Sequence, residues 1–230
     1  MLRRAVFLDK DGTLVENVPY NVDPGRIRLM PGAARALSRL RADGYLLIVV
    51  SNQSGVARGY FSIDALHGVE ERLRELLAEA GAGFDGFYYC PHHPEGSVEP
   101  YAIDCSCRKP NPGLITRAAQ EHGVDLARSW LVGDILDDVE AGRRAGCRTI
   151  LLDNGNETEW LLSARRLPHY LAPGLLEAET VISAVDAALG PTVLSTLRLL
   201  RQRARRSSPP AGGFSWLAPH PHAKEKLHEQ

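Results

Sequence analysis

Two acids stand one residue apart in Asp9-Lys10-Asp11-Gly12-Thr13, directly after the apolar run Ala5-Val6-Phe7-Leu8. Carboxylates at that spacing can share a hard divalent cation, and one can attack an electrophile while the other moves a proton. Gly12 permits the sharp turn that such a pair requires. Alone, the pair would equally suit a solvated turn with an Asx-type hydrogen bond. Three further sets carry compatible chemistry. Ser51-Asn52-Gln53-Ser54-Gly55 offers a hydroxyl and backbone N–H groups to a phosphate. Arg108-Lys109-Pro110 contains a lysine whose backbone is restricted by the following proline, so its ammonium is a directed point charge. Gly133-Asp134, followed by Asp137 and Asp138, supplies more acid beyond a second glycine. Each has a plainer reading taken singly: a polar turn, an exposed basic pair, acids at a helix N-terminus.

The cysteines form a separate group. Cys90-Pro91-His92-His93 and Cys105-Ser106-Cys107 bring three thiols and an imidazole into one loop, a closed four-ligand set for structural zinc. A Cys105–Cys107 disulfide would close a cramped loop, and three buried free thiols suit a segment rich in Pro, Glu and Gly poorly. His93 is a rival ligand; His92 is preferred because it leaves a one-residue gap on both arms. Cys147, at the start of an apolar strand, is expected in the core.

The elements that must position these groups follow from periodicity. Apolar runs at Val6–Leu8, Leu46–Val50, Phe87–Tyr89, Trp130–Val132 and Thr149–Leu152 read as buried strands. Between them, Gly32–Ala42, Ser62–Ala80, Gly113–His122 and Asp137–Ala145 read as helices, the first closed by Asp43-Gly44 and the second capped by Ser62. Ala33, Ala36, Leu37 and Leu40 share one face of the first; Leu66, Val69, Leu73, Leu76 and Leu77 share one face of the second. This alternation predicts an α/β fold, a Rossmann-like parallel sheet with helices on both faces, and every chemical set sits at a strand end. Residues 157–178, with Pro168 and Pro173, read as irregular, and a helix over about 180–189 closes the domain. The expected α/β domain spans 1–190, with the zinc loop at 90–107. Residues 191–230 form an extension: a basic amphipathic helix over 192–206, a linker over 207–213 and a tail whose His220, His222 and His228 read as a solvated terminus.

The 230 residues carry a net charge of −1 and 44% hydrophobic side chains. Balanced charge gives no reason to expect nucleic acid, and no apolar run approaches the roughly 20 residues of a membrane span. The start Met1-Leu2-Arg3-Arg4 is unlike a signal peptide, so a reducing, cytoplasmic setting is expected. No G-x-x-x-x-G-K-[ST] run occurs, which disfavours a nucleoside-triphosphate hydrolase. The 192–206 segment is a candidate for self-association.

Taken in order, Asp9-Lys10-Asp11-Gly12-Thr13, Ser51-Asn52, Lys109-Pro110 and Gly133-Asp134 with Asp138 resemble the four motifs of the haloacid dehalogenase superfamily of phosphohydrolases. The resemblance covers roughly residues 5–153. Cys-x-His followed by Cys-x-Cys-Arg-Lys-Pro is similar to the branch that contains the heptose bisphosphate and histidinol-phosphate phosphatases. The runs 88–99 and 51–59 are most like the heptose enzymes. One departure stands at Ile135, where that branch typically carries a lysine that helps hold the substrate.

The resemblance implies a minimal cap and a Mg²⁺-dependent hydrolysis of a sugar phosphate, with the 7-phosphate of heptose 1,7-bisphosphate as the leading substrate and histidinol phosphate as the alternative. Mg²⁺ would take Asp9, the backbone carbonyl of Asp11, and Asp134, with Asp138 orienting the group. Asp9 would be the nucleophile, Asp11 the acid and base, and Ser51 and Lys109 the partners of the phosphoryl oxygens. Asn17 to Tyr20, Ser51, Asn52, Gln53, Ser54 and Arg108 would line the leaving-group side. Cys90, His92, Cys105 and Cys107 would hold zinc with no open position, so that the ion shapes the loop and does no chemistry.

Overall fold

The protein, described by a computed structural model over residues 2–188, is built on a six-stranded parallel sheet. The strands are β1 (Ala5–Leu8), β2 (Leu46–Asn52), β3 (Gly86–Cys90), β4 (Trp130–Gly133), β5 (Arg148–Leu152) and β6 (Tyr170–Ala172). Their spatial order is β3-β2-β1-β4-β5-β6. The chain runs outward from β1 to β3, then crosses back to β4 on the other side of β1. The loops after β1 and β4 therefore leave in opposite directions and open a crevice at the carboxyl ends of those strands, where open α/β sheets bind ligands.

β1 shows why such strands read as unbroken apolar runs. Val6 and Leu8 point into one core layer, and Ala5 and Phe7 into the other. Helices α1 (Ala33–Ala42) and α2 (Ala65–Glu79), with the helical residues 175–188, cover the first layer through Leu37, Leu40, Val69, Leu73, Leu175 and Ile182. Helix α3 (Gly113–His122) covers the second through Leu114, Ile115 and Ala118, joined by Ala141 of α4 (Leu136–Ala145). Cys147 lies in that layer, 4% exposed.

Three local expectations change. Tyr170–Ala172 is an edge strand pairing with Ile150–Leu152, where the sequence reads as irregular. The last described helix begins at 175, not 180, directly after Pro173-Gly174. Ser62 does not cap α2 with its side chain: the helix starts at Ala65 after Asp64, and the Ser62 carbonyl accepts from the Ala65 N–H at 3.1 Å. Leu76 is half-buried at the edge of its layer. Among the described residues no helix is long and apolar enough to cross a membrane. The extension over 191–230, including the 192–206 segment, lies outside the described residues.

Candidate active site

The turn after β1 is fixed from both sides. The Asp9 N–H donates to the Val132 carbonyl of β4 at 2.9 Å, and Leu14 and Val15 N–H groups return to the Lys10 carbonyl at 3.0 Å. Gly12 has φ +79°, and a Cβ placed there would lie 2.0 Å from Asp134 Oδ2. Only glycine allows both this backbone conformation and this approach. Gly133 serves the same end, since a Cβ on it would lie 2.3 Å from Asp138 Oδ2.

These two turns bring Asp9, Asp134 and Asp138 together, all buried, with carboxylate oxygens within 4.8 Å of one another. Lys109 reaches them from the loop after β3 and is 2% exposed. Its ammonium donates to Asp9 Oδ1 and to the Val50 carbonyl at 3.0 Å, and lies 2.6 Å from Asp138 Oδ1. Burial pushes Asp9 up to about 7; Lys109 pulls it back, while Asp138 and Asp11 raise it. Burial, then Asp9 and Asp138, push Asp134 up to about 8 against the pull of Lys109. Burial opposes the charge on Lys109, but Asp138 and Asp9 outweigh it and hold the ammonium above its ordinary value. Three carboxylates face one ammonium here. An all-oxygen donor set with excess negative charge fits a hard divalent cation. The sequence reading gives Asp138 an orienting role; its carboxylate also lies within the group and pairs with Lys109.

The Asp11 carboxylate stands outside that group. Its Oδ1 accepts from Lys10 Nζ at 2.5 Å and its Oδ2 from Gln53 Nε2 at 3.3 Å. The Asp11 side chain is 33% exposed against 9% for Asp9, so one acid is open to the crevice and the other is shielded. Gln53 Nε2 also donates to Ser51 Oγ at 2.8 Å, which links the Ser51 hydroxyl to Asp11. A cavity of about 220 Å³ next to Asp11 is lined by Asn17, Tyr20, Asn52, Gln53 and Ser54 among others. Tyr20 stands over it edge-on to Tyr60 at 4.7 Å.

Asn52 lines that cavity and is also tied to the loop that carries Lys109. Its Nδ2 donates to the Lys109 carbonyl and its Oδ1 accepts from the Lys109 N–H, both at 3.0 Å. Its amide is spent on holding the Lys109 backbone, across 57 residues of sequence. Arg108 is half-buried, with its Nη1 3.5 Å from the His92 carbonyl.

Cys90, His92, Cys105 and Cys107 form a second group. Cys107 Sγ lies 3.1 Å from Cys90 Sγ, 3.3 Å from Cys105 Sγ and 3.3 Å from His92 Nδ1; Cys90 Sγ lies 3.5 Å from Cys105 Sγ and 3.6 Å from His92 Nδ1. No pair is at disulfide distance, and the four ligand atoms lie within 4.8 Å of one another, a sulfur-rich donor set whose chemistry fits zinc. His93 faces elsewhere: its Nδ1 accepts from the Glu95 N–H at 3.1 Å and its Nε2 meets Arg58 at 3.0 Å. The Arg108 N–H donates to Cys105 Sγ at 3.3 Å, so the sulfur group holds the chain one residue before Lys109.

Residues 106–178 match the HAD-hydrolase-like family. The D-glycero-beta-D-manno-heptose-1,7-bisphosphate 7-phosphatase of Pasteurella multocida is 44% identical over 155 residues, covering 67% of this chain and 84% of that one. This chain belongs to the heptose-bisphosphate phosphatase family of the haloacid dehalogenase-like hydrolases. The corresponding enzyme of Thermosynechococcus vestitus is 46% identical over 159 residues, covering 67% and 81% of the two chains. Among solved structures, D,D-heptose 1,7-bisphosphate phosphatase from B. bronchiseptica, complexed with magnesium and phosphate, aligns with a TM-score of 0.66 at 28% identity, covering 80% of this chain and 99% of that one. Family and fold together make the protein a phosphoric monoester hydrolase.

Two features of the site were not legible beforehand. Lys10 is 3% exposed and paired with Asp11, although a lysine between two acids reads as solvated. Asn154, Asn156 and Glu157, from the loop after β5, reach the turns at Gly12 and Leu136. Their only advance signal is position, since that loop also leaves a strand at its carboxyl end.

Proposed function

We propose that the protein hydrolyses the 7-phosphate of a heptose 1,7-bisphosphate through an aspartyl-phosphate at Asp9. The observation that carries this reading is the buried Lys109 ammonium bridging Asp9 and Asp138 beside Asp134, with the more open Asp11 facing the cavity. Mg²⁺ would be held by the carboxylates of Asp9 and Asp134 and the carbonyl of Asp11, with Asp138 orienting the group, and when bound would supply positive charge to the phosphoryl oxygens. An Asp9 carboxylate oxygen attacks phosphorus; the bond to the sugar oxygen breaks, and Asp11 gives that oxygen a proton. Asp11 then takes the proton of the water that attacks phosphorus, phosphate leaves, and the Asp9 carboxylate is restored. Its greater exposure suits Asp11 to exchanging protons with each partner in turn. Lys109 and Ser51 stabilise the equatorial oxygens, and Arg108, with its planar fork, suits a second phosphate.

A panel of phosphate esters tests the substrate. The expected result is a kcat/KM for heptose 1,7-bisphosphate at least about tenfold above that for histidinol phosphate, the order of one charge-assisted contact. Ile135 keeps the second substrate in view, because it removes a cation that this branch typically presents. Preference for histidinol phosphate would overturn the heptose reading.

The sulfur group takes zinc in this proposal, and its effect reaches the site through Arg108 and Lys109. Removing zinc with a chelator and restoring Mg²⁺ is expected to lower kcat/KM roughly 10²-fold, the cost of misplacing a phosphate ligand by about an ångström. Unchanged kinetics after verified zinc loss would show that the group does not position Lys109.

A further inference from the structure

Helix α4 carries Asp138 and begins directly after Asp134, so the placement of its first turn decides whether these acids meet Asp9. The first N–H groups of a helix need outside partners. The residue before α4 is Ile135, in extended conformation (φ −128°, ψ 160°), whose side chain cannot accept a hydrogen bond. Leu136, first in the helix, is fully buried. Its N–H instead donates to Glu157 Oε2 at 2.6 Å, across 21 residues. Glu157 is itself set by its own loop: Oε1 accepts from the Glu159 N–H at 2.8 Å and the Trp160 N–H at 3.4 Å. Burial works against its charge, but these N–H groups, Leu136 first, hold the carboxyl below its ordinary range.

The same loop reaches the nucleophile turn. Asn154 Nδ2 donates to the Gly12 carbonyl at 2.7 Å, and Asn156 Nδ2 lies 2.5 Å from where a Cβ of Gly12 would stand. Farther along, Arg166 pairs with Asp137 and, at 2.9 Å, with Glu140, both on α4. The loop after β5 thus bonds to the turn after β1 and to the helix after β4.

We propose that Glu157 is a positioning residue: by capping α4 from this loop it holds Asp134 and Asp138 against Asp9, while Asn154 holds the Gly12 turn. This rests on the reading of the three acids as the divalent-cation group. The loop stands in for the side-chain cap that Ile135 cannot supply.

The test is calorimetric titration of Mg²⁺ into the full, substrate-free chain, with melting temperature and steady-state kinetics alongside. Glu157→Ala is expected to weaken Mg²⁺ binding about tenfold or more, the usual effect of losing a residue that orients a metal ligand. Glu157→Gln keeps one acceptor oxygen but turns the other into a donor, and should fall between. Glu159→Ala removes an equal charge from an exposed site on the same loop and should bind as the wild type does. Wild-type Mg²⁺ affinity in Glu157→Ala overturns the proposal, whatever the melting temperature. Equal weakening by Glu159→Ala also overturns it, because bulk charge would then explain the effect. If Glu157→Ala does not fold, wild-type affinity in Glu157→Gln overturns it. The readout needs no substrate, so a wild-type protein that binds Mg²⁺ but hydrolyses no phosphomonoester would count against the proposed function alone.

Discussion

Asp9→Asn is expected to reduce kcat by at least about four orders of magnitude while leaving the fold intact. An amide oxygen is a poor nucleophile toward phosphorus, and no other carboxylate is placed to replace it: Asp134 and Asp138 are bound into the acidic group, and Asp11 points to Lys10 and Gln53. The change is nearly isosteric, so the burial of Asp9 predicts no cavity. It also relieves crowding among three buried acids. The sign of the stability effect follows from protons. Asp9 lies near 7 in the fold against 3.8 for an ordinary aspartate. Between those values the folded chain keeps a proton that the unfolded chain releases, so metal-free stability falls as pH rises through that window. Asp9→Asn removes its share of that fall. Melting temperature measured against pH without divalent cations should therefore decline less steeply than in the wild type. A variant that still hydrolyses its substrate near the wild-type rate would remove Asp9 from the mechanism.

How far the sequence discloses this site depends on which physical signal carries each part. Parallel strands are buried on both faces, so Ala5–Leu8, Leu46–Val50 and Trp130–Val132 stand out as apolar runs, and the acids at their ends stand out by contrast. β6 does not, because it has three residues, lies on an edge and is bracketed by Pro168 and Pro173. The helix from 175 has buried residues at Leu175, Ala178 and Ile182, a helical spacing, but no conventional capping side chain announces it. At the site, the residues proposed to face reactants are visible as motifs. Residues that hold other residues carry no such motif. Asn52 follows Ser51 and lines the same crevice, and only the fold shows that it also holds the Lys109 backbone. Glu157 has local partners in the Glu159 and Trp160 N–H groups, but its role is defined by Leu136 on another element. Local chemistry is written in adjacent residues, whereas positioning is a long-range hydrogen bond that one-dimensional pattern does not contain.

Lys109→Met should lower kcat about 10³-fold, within the range for removing one preorganised charge from a phosphoryl-transfer site. Methionine approximates the length and volume of the side chain but supplies neither the charge nor the three donors that now serve Asp9, Asp138 and the Val50 carbonyl. Two effects should appear together. The phosphoryl oxygens lose a cation whose place is set by Asn52 on one side and the sulfur group on the other, so the transition state is destabilised more than substrate binding and kcat falls further than KM rises. The acids also lose the pull that Lys109 exerts on Asp9 and Asp134 and move further up, so Mg²⁺ must displace more tightly held protons. Mg²⁺ binding by the variant should accordingly need higher pH than in the wild type, a shift that titrations at pH 6 and 8 would reveal. Lys109→Arg distinguishes charge from placement: the guanidinium keeps the charge but is too large for a side chain that is 2% exposed among three buried acceptors, so recovery should be slight. If Lys109→Met kept full turnover with an unshifted Mg²⁺ profile, the ammonium would be a structural tie between β2, Asp9 and α4, and stabilisation of the phosphoryl oxygens would have to come from Ser51 and the cation.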